Sequence, residues 1–492
     1  MLKKQKSIKK NFIMNAVLTM STFIFPLITF PYISRVLLPV GTGKINFATS
    51  FISYFTMCAQ LGLPTYGIRV CAKVRDNKVE LTRNVHELLM INLFMTVLAY
   101  CVFFSILLTV SKLQEDRILY LIMSSTIFLN AIGVEWLYKA LEQYTYITIR
   151  SIVFKFISII AMFLLVHEKE NYIIYAVITI FASSASNILN FINMHKFVIF
   201  KPVGKYNFKR HLKAIIIFFA MACATTIYTN LDTVMLGFMK TDEDVGYYSA
   251  AVKIKIILVS IVTSLGTVLL PRCSYYVEHQ LFEEFQKICA KALNFVFILA
   301  TPLMVYFILF AKEGIYFLSG SSYEKSILPM QIIMPTLLFI GISNILGMQI
   351  LVPLGKEKIV LYSEIIGAMV NLIVNFILIP KYASIGAAIG TVLAEAIVFI
   401  VQYIYLREEI KGIFLRIHYL RICFVLSLAS VISIVVKIFN LGNFLTLVIS
   451  ASLFFSIYGL ILLVKKEEII VEIYEQLSSR VLKRKRKRKC IE

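Results

Sequence analysis

Apolar stretches of about 20 residues, the length an α-helix needs to cross a hydrocarbon core about 30 Å thick, recur along this chain with short polar gaps between them. In lipid every backbone N–H and C=O must be satisfied internally, so such a chain folds as helices or as a closed barrel. A barrel requires alternating segments of about 10 residues, and the sequence contains none. Fourteen spans are expected, at 12–34, 45–66, 88–110, 118–138, 147–166, 172–194, 212–238, 252–271, 292–311, 327–352, 359–379, 385–406, 419–439 and 444–464. With 59% hydrophobic and 16% charged residues among 492, the composition suits an all-α polytopic membrane protein and no soluble domain. The first apolar segment exceeds the core of a cleaved signal peptide, and no small-residue cleavage site follows it, so it reads as a retained helix.

A net charge of +22 raises the question of nucleic acid, which the placement of the cations answers. Lys and Arg number 37 in alternate gaps counted from the N-terminus, with Arg150, Lys213 and Arg421 near the span ends assigned to the adjoining gap, and 9 in the gaps between them. An excess of this size, alternating along the chain, follows the positive-inside rule. It places both termini in the cytoplasm, supports an even number of spans and leaves no nucleic-acid partner to invoke. The run 483–489 (KRKRKRK) then reads as a cytoplasmic segment able to touch anionic lipid, with a purely topological role as the plainer alternative.

Enzyme chemistry finds no support. Eight cysteines are scattered without a CxxC pair, and six histidines lack metal-ligand spacing, so neither a metal nor a cofactor is expected. There is no Walker loop and no GxSxG elbow.

A weak internal repeat sets the organisation. Residues 43–51 (GKINFATSF) and 246–254 (GYYSAAVKI) each open a helix with glycine after an outside loop, and Leu61-Gly62 and Leu265-Gly266 follow in register about twenty residues later. A repeat of six spans, an even number, keeps its orientation. Two parallel six-helix lobes around a central cavity are therefore expected, 12–194 and 212–406, joined by a cytoplasmic loop at 195–211. A cytoplasmic N-terminus precedes them at 1–11, two further helices follow within 419–464, and a basic cytoplasmic tail occupies 465–492.

Three stretches carry a family resemblance. Glu135-Trp136 through Glu142, continued by Arg150 and Lys155, forms one; 229–237 (TNLDTVMLG) with 247–254 forms the second. The third runs from Asn371 and Asn375 through Pro380 and Gly386 to Thr391 and Glu395. Together they resemble the polysaccharide-transporter branch of the MOP superfamily, which holds the Wzx-type repeat-unit flippases, although Ala140 and Ala383 stand where glycine is more usual. The resemblance covers nearly the whole chain except the basic tail. It implies a bacterial cytoplasmic membrane protein that moves undecaprenyl-pyrophosphate oligosaccharide from the cytoplasmic to the outer leaflet, with membrane lipid and the polysaccharide polymerase machinery as partners. Surface polysaccharide, whether O-antigen, capsule or exopolysaccharide, would be the product.

Charges within the bilayer cost about 3 kcal/mol each on insertion scales, which makes them candidates for function. Lys155 lies about 12 Å from the cytoplasmic start of its span and Arg150 about one turn nearer, and a pyrophosphate needs such cations. The two are about 140° apart on an ideal helix, and Lys155 could instead snorkel. Arg35 and Lys44 flank the first outside loop, where cargo would leave. Asp232 lies about 9 Å inside the outer end of its span, within reach of Lys253 or Lys255; it is either a neutralised structural charge or an ion-coupling site. Thr225 and Thr229 extend a polar stripe from it. Glu364 and Glu395 are further coupling candidates, whereas Glu135 and Lys139, four apart, read as a structural pair. Gly386 and Gly390 have the spacing of close helix packing, and Pro26, Pro31, Pro302 and Pro335 are sites for bends.

Two rivals stand beside this reading: a multidrug exporter from the same superfamily, whose cavity should be acidic, and a flippase for the peptidoglycan precursor, whose cargo carries the same lipid pyrophosphate. A membrane-embedded glycan polymerase would need a large outside loop, and the longest here is 312–326.

Overall fold

The computed structural model describes residues 8–414, 417–467, 469–471 and 475. Most of the N-terminal segment 1–11 and the basic run 483–489 lie outside the described residues. Among the described residues the regular structure is helical, with no strand.

Among the described residues eleven helices are long and apolar enough to cross a membrane, twelve when Ser321–Ile333 and Thr336–Leu351, bent by 43°, are taken as one span. The difference from the fourteen expected falls in two stretches, Ile13–Lys73 of 61 residues and Glu357–Glu408 of 52. Straight helices of that length would run to about 80–90 Å, far more than the hydrocarbon thickness. Each is broken in its middle, at Leu38 (φ 58°) and at Ala383 (φ 48°). Ala383 is one of the positions where glycine is more usual, and the positive φ supplies the reason, because only glycine enters that region without strain. Pro26, Pro31 and Pro302 lie inside helices, while Pro335 stands at the 43° bend, where its missing N–H leaves the ladder open. A π-helical turn, Phe181–Ala185, interrupts the apolar stretch Lys169–Lys196.

Backbone contacts divide the chain into two compact units. The first comprises Met1–Ser249, Leu318–Tyr323 and Asn375–Ala387. It therefore includes the helix Lys209–Met239, whereas the sequence places the lobe boundary at 195–211. Hydrogen bonds explain the attachment: Glu87, fully buried, accepts from the Asn207 backbone N–H at 2.7 Å and from Arg210 Nη2 at 2.6 Å, tying the start of that helix to the helix Lys78–Thr109. One core of this unit gathers Leu63, Tyr66, Leu88, Trp136 and Tyr138. Trp136, of the first resemblance stretch, lies so close over Gly67 that a methyl group there would meet its indole ring.

The second unit comprises Ala250–Phe317, Glu324–Val374 and Ala388–Glu492. Its core joins the helix Phe282–Leu309 to Tyr419–Ile434 and Asn443–Val464 through Leu293, Tyr306, Leu426, Phe454 and Tyr458. Tyr306 Oη hydrogen-bonds the Leu447 carbonyl at 2.9 Å and Ser450 Oγ at 3.0 Å, satisfying a polar group that lipid could not.

Candidate functional site

In the first unit the helix Tyr144–Leu165 presents its two cations to different neighbours. Arg150 is 7% exposed, donates to the Ser186 carbonyl at 3.1 Å, and its Nη2 lies 3.6 Å from Glu135 Oε2. Glu135 also pairs with Lys139 at 2.8 Å, as their spacing predicts. Lys155 turns instead toward the first helix and donates to Ser21 Oγ at 2.8 Å. It borders a cavity of about 350 Å³ lined otherwise by Ser21 and by apolar side chains such as Met20, Ile24, Phe25 and Phe156. The two cations thus belong to separate environments, one in a buried polar network and one at the edge of an apolar groove.

Of the outer-loop pair, Lys44 is held by Asp116, 2.7 Å from Oδ2, while Tyr172 Oη donates to Asp116 Oδ1 at 2.8 Å and its ring lies 4.9 Å beneath the ammonium. Arg35 is exposed and donates to the carbonyls of Pro31 and, at 3.3 Å, Leu318. Nearby, Thr42 Oγ1 and Tyr323 Oη share a buried hydrogen bond of 2.7 Å.

Asp232 is 6% exposed on the helix Lys209–Met239. Tyr248 Oη donates to its Oδ2 at 2.6 Å and Asn375 Nδ2 to its Oδ1 at 2.6 Å. The second and third resemblance stretches therefore meet at this carboxylate, and charge-assisted hydrogen bonds of this kind are about twice as strong as neutral ones. One and two turns earlier, Thr229 and Thr225 are exposed, continuing a polar face.

The remaining candidates lie in the second unit. Lys253 is half-buried on Asp242–Glu278. Glu395 is 6% exposed and Thr391 likewise, one turn apart on one face of the stretch Glu357–Phe414. Glu364 is exposed among apolar Leu361, Tyr362, Ile365 and Ile366. Among the described residues no group of three or more His, Cys, Asp or Glu side chains is placed to hold a metal ion.

Sequence reasoning did not anticipate the network around Glu87. Arg210 and His211 both reach it, His211 Nε2 at 2.6 Å, and Tyr66 Oη meets His211 Nδ1 at 2.7 Å. These residues fall at the ends of spans, where polar side chains read as solvated. The one signal was a carboxylate and a histidine immediately beside apolar segments.

The family described as "polysaccharide biosynthesis protein" matches residues 8–277, and the MatE family matches 217–377. A protein of Escherichia coli strain K12, named as a candidate O-antigen transporter, is 24% identical over 82% of this chain and 97% of its own length. Among solved structures, the lipid II flippase MurJ in an inward closed conformation superposes with a TM-score of 0.58 at 18% identity, covering 93% of this chain and 100% of that one. An inward-facing multidrug-resistance MATE transporter of the MOP superfamily does so at 0.62 and 11% identity, covering 82% of this chain and 99% of that one. At these identities both likenesses carry the fold.

Proposed function

We infer that this chain, which belongs to the polysaccharide biosynthesis protein family, is a flippase for lipid-linked oligosaccharide precursors of surface polysaccharide. The single observation that carries the reading is the groove beside Lys155, where the one charged lining residue and the Ser21 hydroxyl border an otherwise apolar cavity of about 350 Å³. A polyprenyl-pyrophosphate is an anion on a hydrocarbon chain, and it needs a cation and an apolar surface side by side. Lys supplies a mobile point charge with three donors, suited to a ligand that must later leave.

The cargo moves from the cytoplasmic to the outer leaflet by alternating access, without covalent chemistry. Asp232, clamped by Tyr248 and Asn375, is the first candidate for coupling to an ion gradient, with Glu395 and Glu364 after it. Arg150, Arg35, Lys44 and Lys253 are secondary cations on the cargo route. The bacterial cytoplasmic membrane with both termini inside is the placement that the alternating excess of 37 over 9 cations supports. The polymerase that consumes the flipped units is the expected partner.

The test is deletion of the gene, with measurement of surface polysaccharide and of lipid-linked units accumulating inside. Complementation uses wild type and Lys155→Ala at matched expression. Inward accumulation and loss of surface polymer in the deletion and in Lys155→Ala are expected. Unchanged polymer in the deletion would move the reading to drug export.

A further inference from the structure

In the second unit, the hairpin between Asp242–Glu278 and Phe282–Leu309 opens a cavity of about 470 Å³. Three cations line it, Arg272, Lys287 and Lys291, beside the apolar Ile288, Ile417 and Ile469. All three cations are exposed, and they fall in one of the Lys- and Arg-rich gaps that the charge alternation assigns to the cytoplasm.

Among the described residues Glu467, Glu284 and Glu283 stand beside this cavity. Glu467 is already engaged by Arg421 at 3.0 Å and by Asn294 Nδ2 at 2.9 Å, and it is 3% exposed. Glu284 lines the cavity 3.8 Å from Lys287 and Glu283 stands 3.7 Å from the same ammonium, both on an exposed surface, where such pairs are weak. At the tip of the hairpin, Tyr275, Leu281 and Phe282 are 54%, 41% and 53% exposed. Aromatic and aliphatic side chains left open beside cations are the footprint of a surface that dips into the lipid headgroup layer.

We propose that this cavity binds the phosphate of an anionic lipid at the cytoplasmic boundary of the membrane, through Arg272, Lys287 and Lys291, with the apolar wall receiving the start of the acyl chain. The site is separate from the groove beside Lys155 and stands whether or not that groove carries cargo. A phosphodiester of phosphatidylglycerol and a polyprenyl phosphate present the same chemistry to it.

The experiment measures lipid binding to the full-length protein in detergent by native mass spectrometry. The probes are phosphatidylglycerol, phosphatidylcholine, undecaprenyl phosphate and inorganic phosphate. Affinity for the anionic lipids should fall about fivefold for each charge removed in Arg272→Gln, Lys287→Gln and Lys291→Gln, and about a hundredfold in the triple variant. Phosphatidylcholine binding should not change. A charge-retaining variant, Arg272→Lys with Lys287→Arg and Lys291→Arg, should keep the affinity, which separates charge from folding. Tighter binding of phosphatidylglycerol or of undecaprenyl phosphate, if lost in the triple variant, supports the site and names its source. Wild-type affinity in the triple variant overturns the proposal, and so does displacement of the lipids by inorganic phosphate at equal concentration.

Discussion

The side-chain amide of Asn375 donates to Asp232 Oδ1 at 2.6 Å, joining positions 143 residues apart in the chain, while Tyr248 holds the other carboxylate oxygen at the same distance. A carboxylate that is 6% exposed depends on its donors, since a buried charge without them is unstable. Asn375→Ala should lower stability by about 1–3 kcal/mol, visible as a lower Tm in detergent. Equal Tm values for variant and wild type would sink this account of the clamp. Asp232→Asn separates the two roles of the acid: wild-type Tm with lost polymer export marks coupling, whereas loss of both marks structure.

Gly43 and Gly246, which open the two copies of the internal repeat, meet in the first unit. A methyl group on Gly43 would collide with the Asp242 backbone and lie 2.9 Å from Gly246 N, and one on Gly246 would collide with the Pro39 carbonyl. Gly43→Ala or Gly246→Ala should therefore force the backbones apart at an overpacking penalty of about 1–3 kcal/mol. Gly459→Ala is the control, because nothing lies within 4 Å of the added carbon and alanine favours the helix by about 1 kcal/mol. Thermal unfolding of the three variants should order them with Gly459→Ala at or above wild type and the other two below. A Gly246→Ala protein that melts with wild type would remove the close approach.

Arg150 and Lys155 should respond differently to truncation, although the sequence pairs them as one anion site. Arg150→Ala deletes a buried charge-assisted hydrogen bond to Ser186 and a contact with Glu135, at a cost of about 1–3 kcal/mol. Lys155→Ala deletes one bond to a serine hydroxyl at the edge of a groove, so Tm should stay near wild type while surface polysaccharide falls. Lys155→Arg should restore part of the polymer by returning the charge. Measuring Tm and polymer on the same preparations checks both halves, and equal loss of Tm in the two alanine variants would reject the distinction.

Much of the fold was legible because it follows from length and hydropathy alone. An apolar run of about 20 residues has few choices in lipid, and the Lys and Arg asymmetry recurs along the chain. The helical character and most of the spans follow from those two signals. The breaks at Leu38 and Ala383 were placed correctly between expected spans, yet neither position carries glycine, so their positive φ was invisible. The candidate site was less legible, because helical periodicity indicates which residues share a face and not which helix that face meets. It placed Lys155 and Arg150 on different sides without revealing Ser21, Ser186 or Glu135 as partners. Lys44 was visible as a cation but Asp116, 72 positions away, was not visible as its counter-charge.

Glu87 offers the sharpest case of a residue that the sequence left unmarked. It is fully buried and accepts from Asn207 N, Arg210 and His211, so one carboxylate fastens the loop 195–211 and the start of Lys209–Met239 to the helix Lys78–Thr109. The loop has further ties, Ile199 N to Thr82 Oγ1 at 3.2 Å and Tyr206 Oη to His86 Nδ1 at 3.0 Å, but Glu87 is the charged one. Removing one partner of a buried pair costs about 3–5 kcal/mol, and the lower end applies here because the Arg210 side chain is 37% exposed and partly solvated. Glu87→Ala should thus depress Tm and free the loop, so that protease cuts within 195–211 faster than in wild type. Arg210→Ala should do both to a smaller degree, since His211 and Asn207 still hold the carboxylate. Unchanged cleavage of the loop in Glu87→Ala would show that the side-chain ties at Thr82 and His86 suffice, and that the buried acid does not fasten this segment.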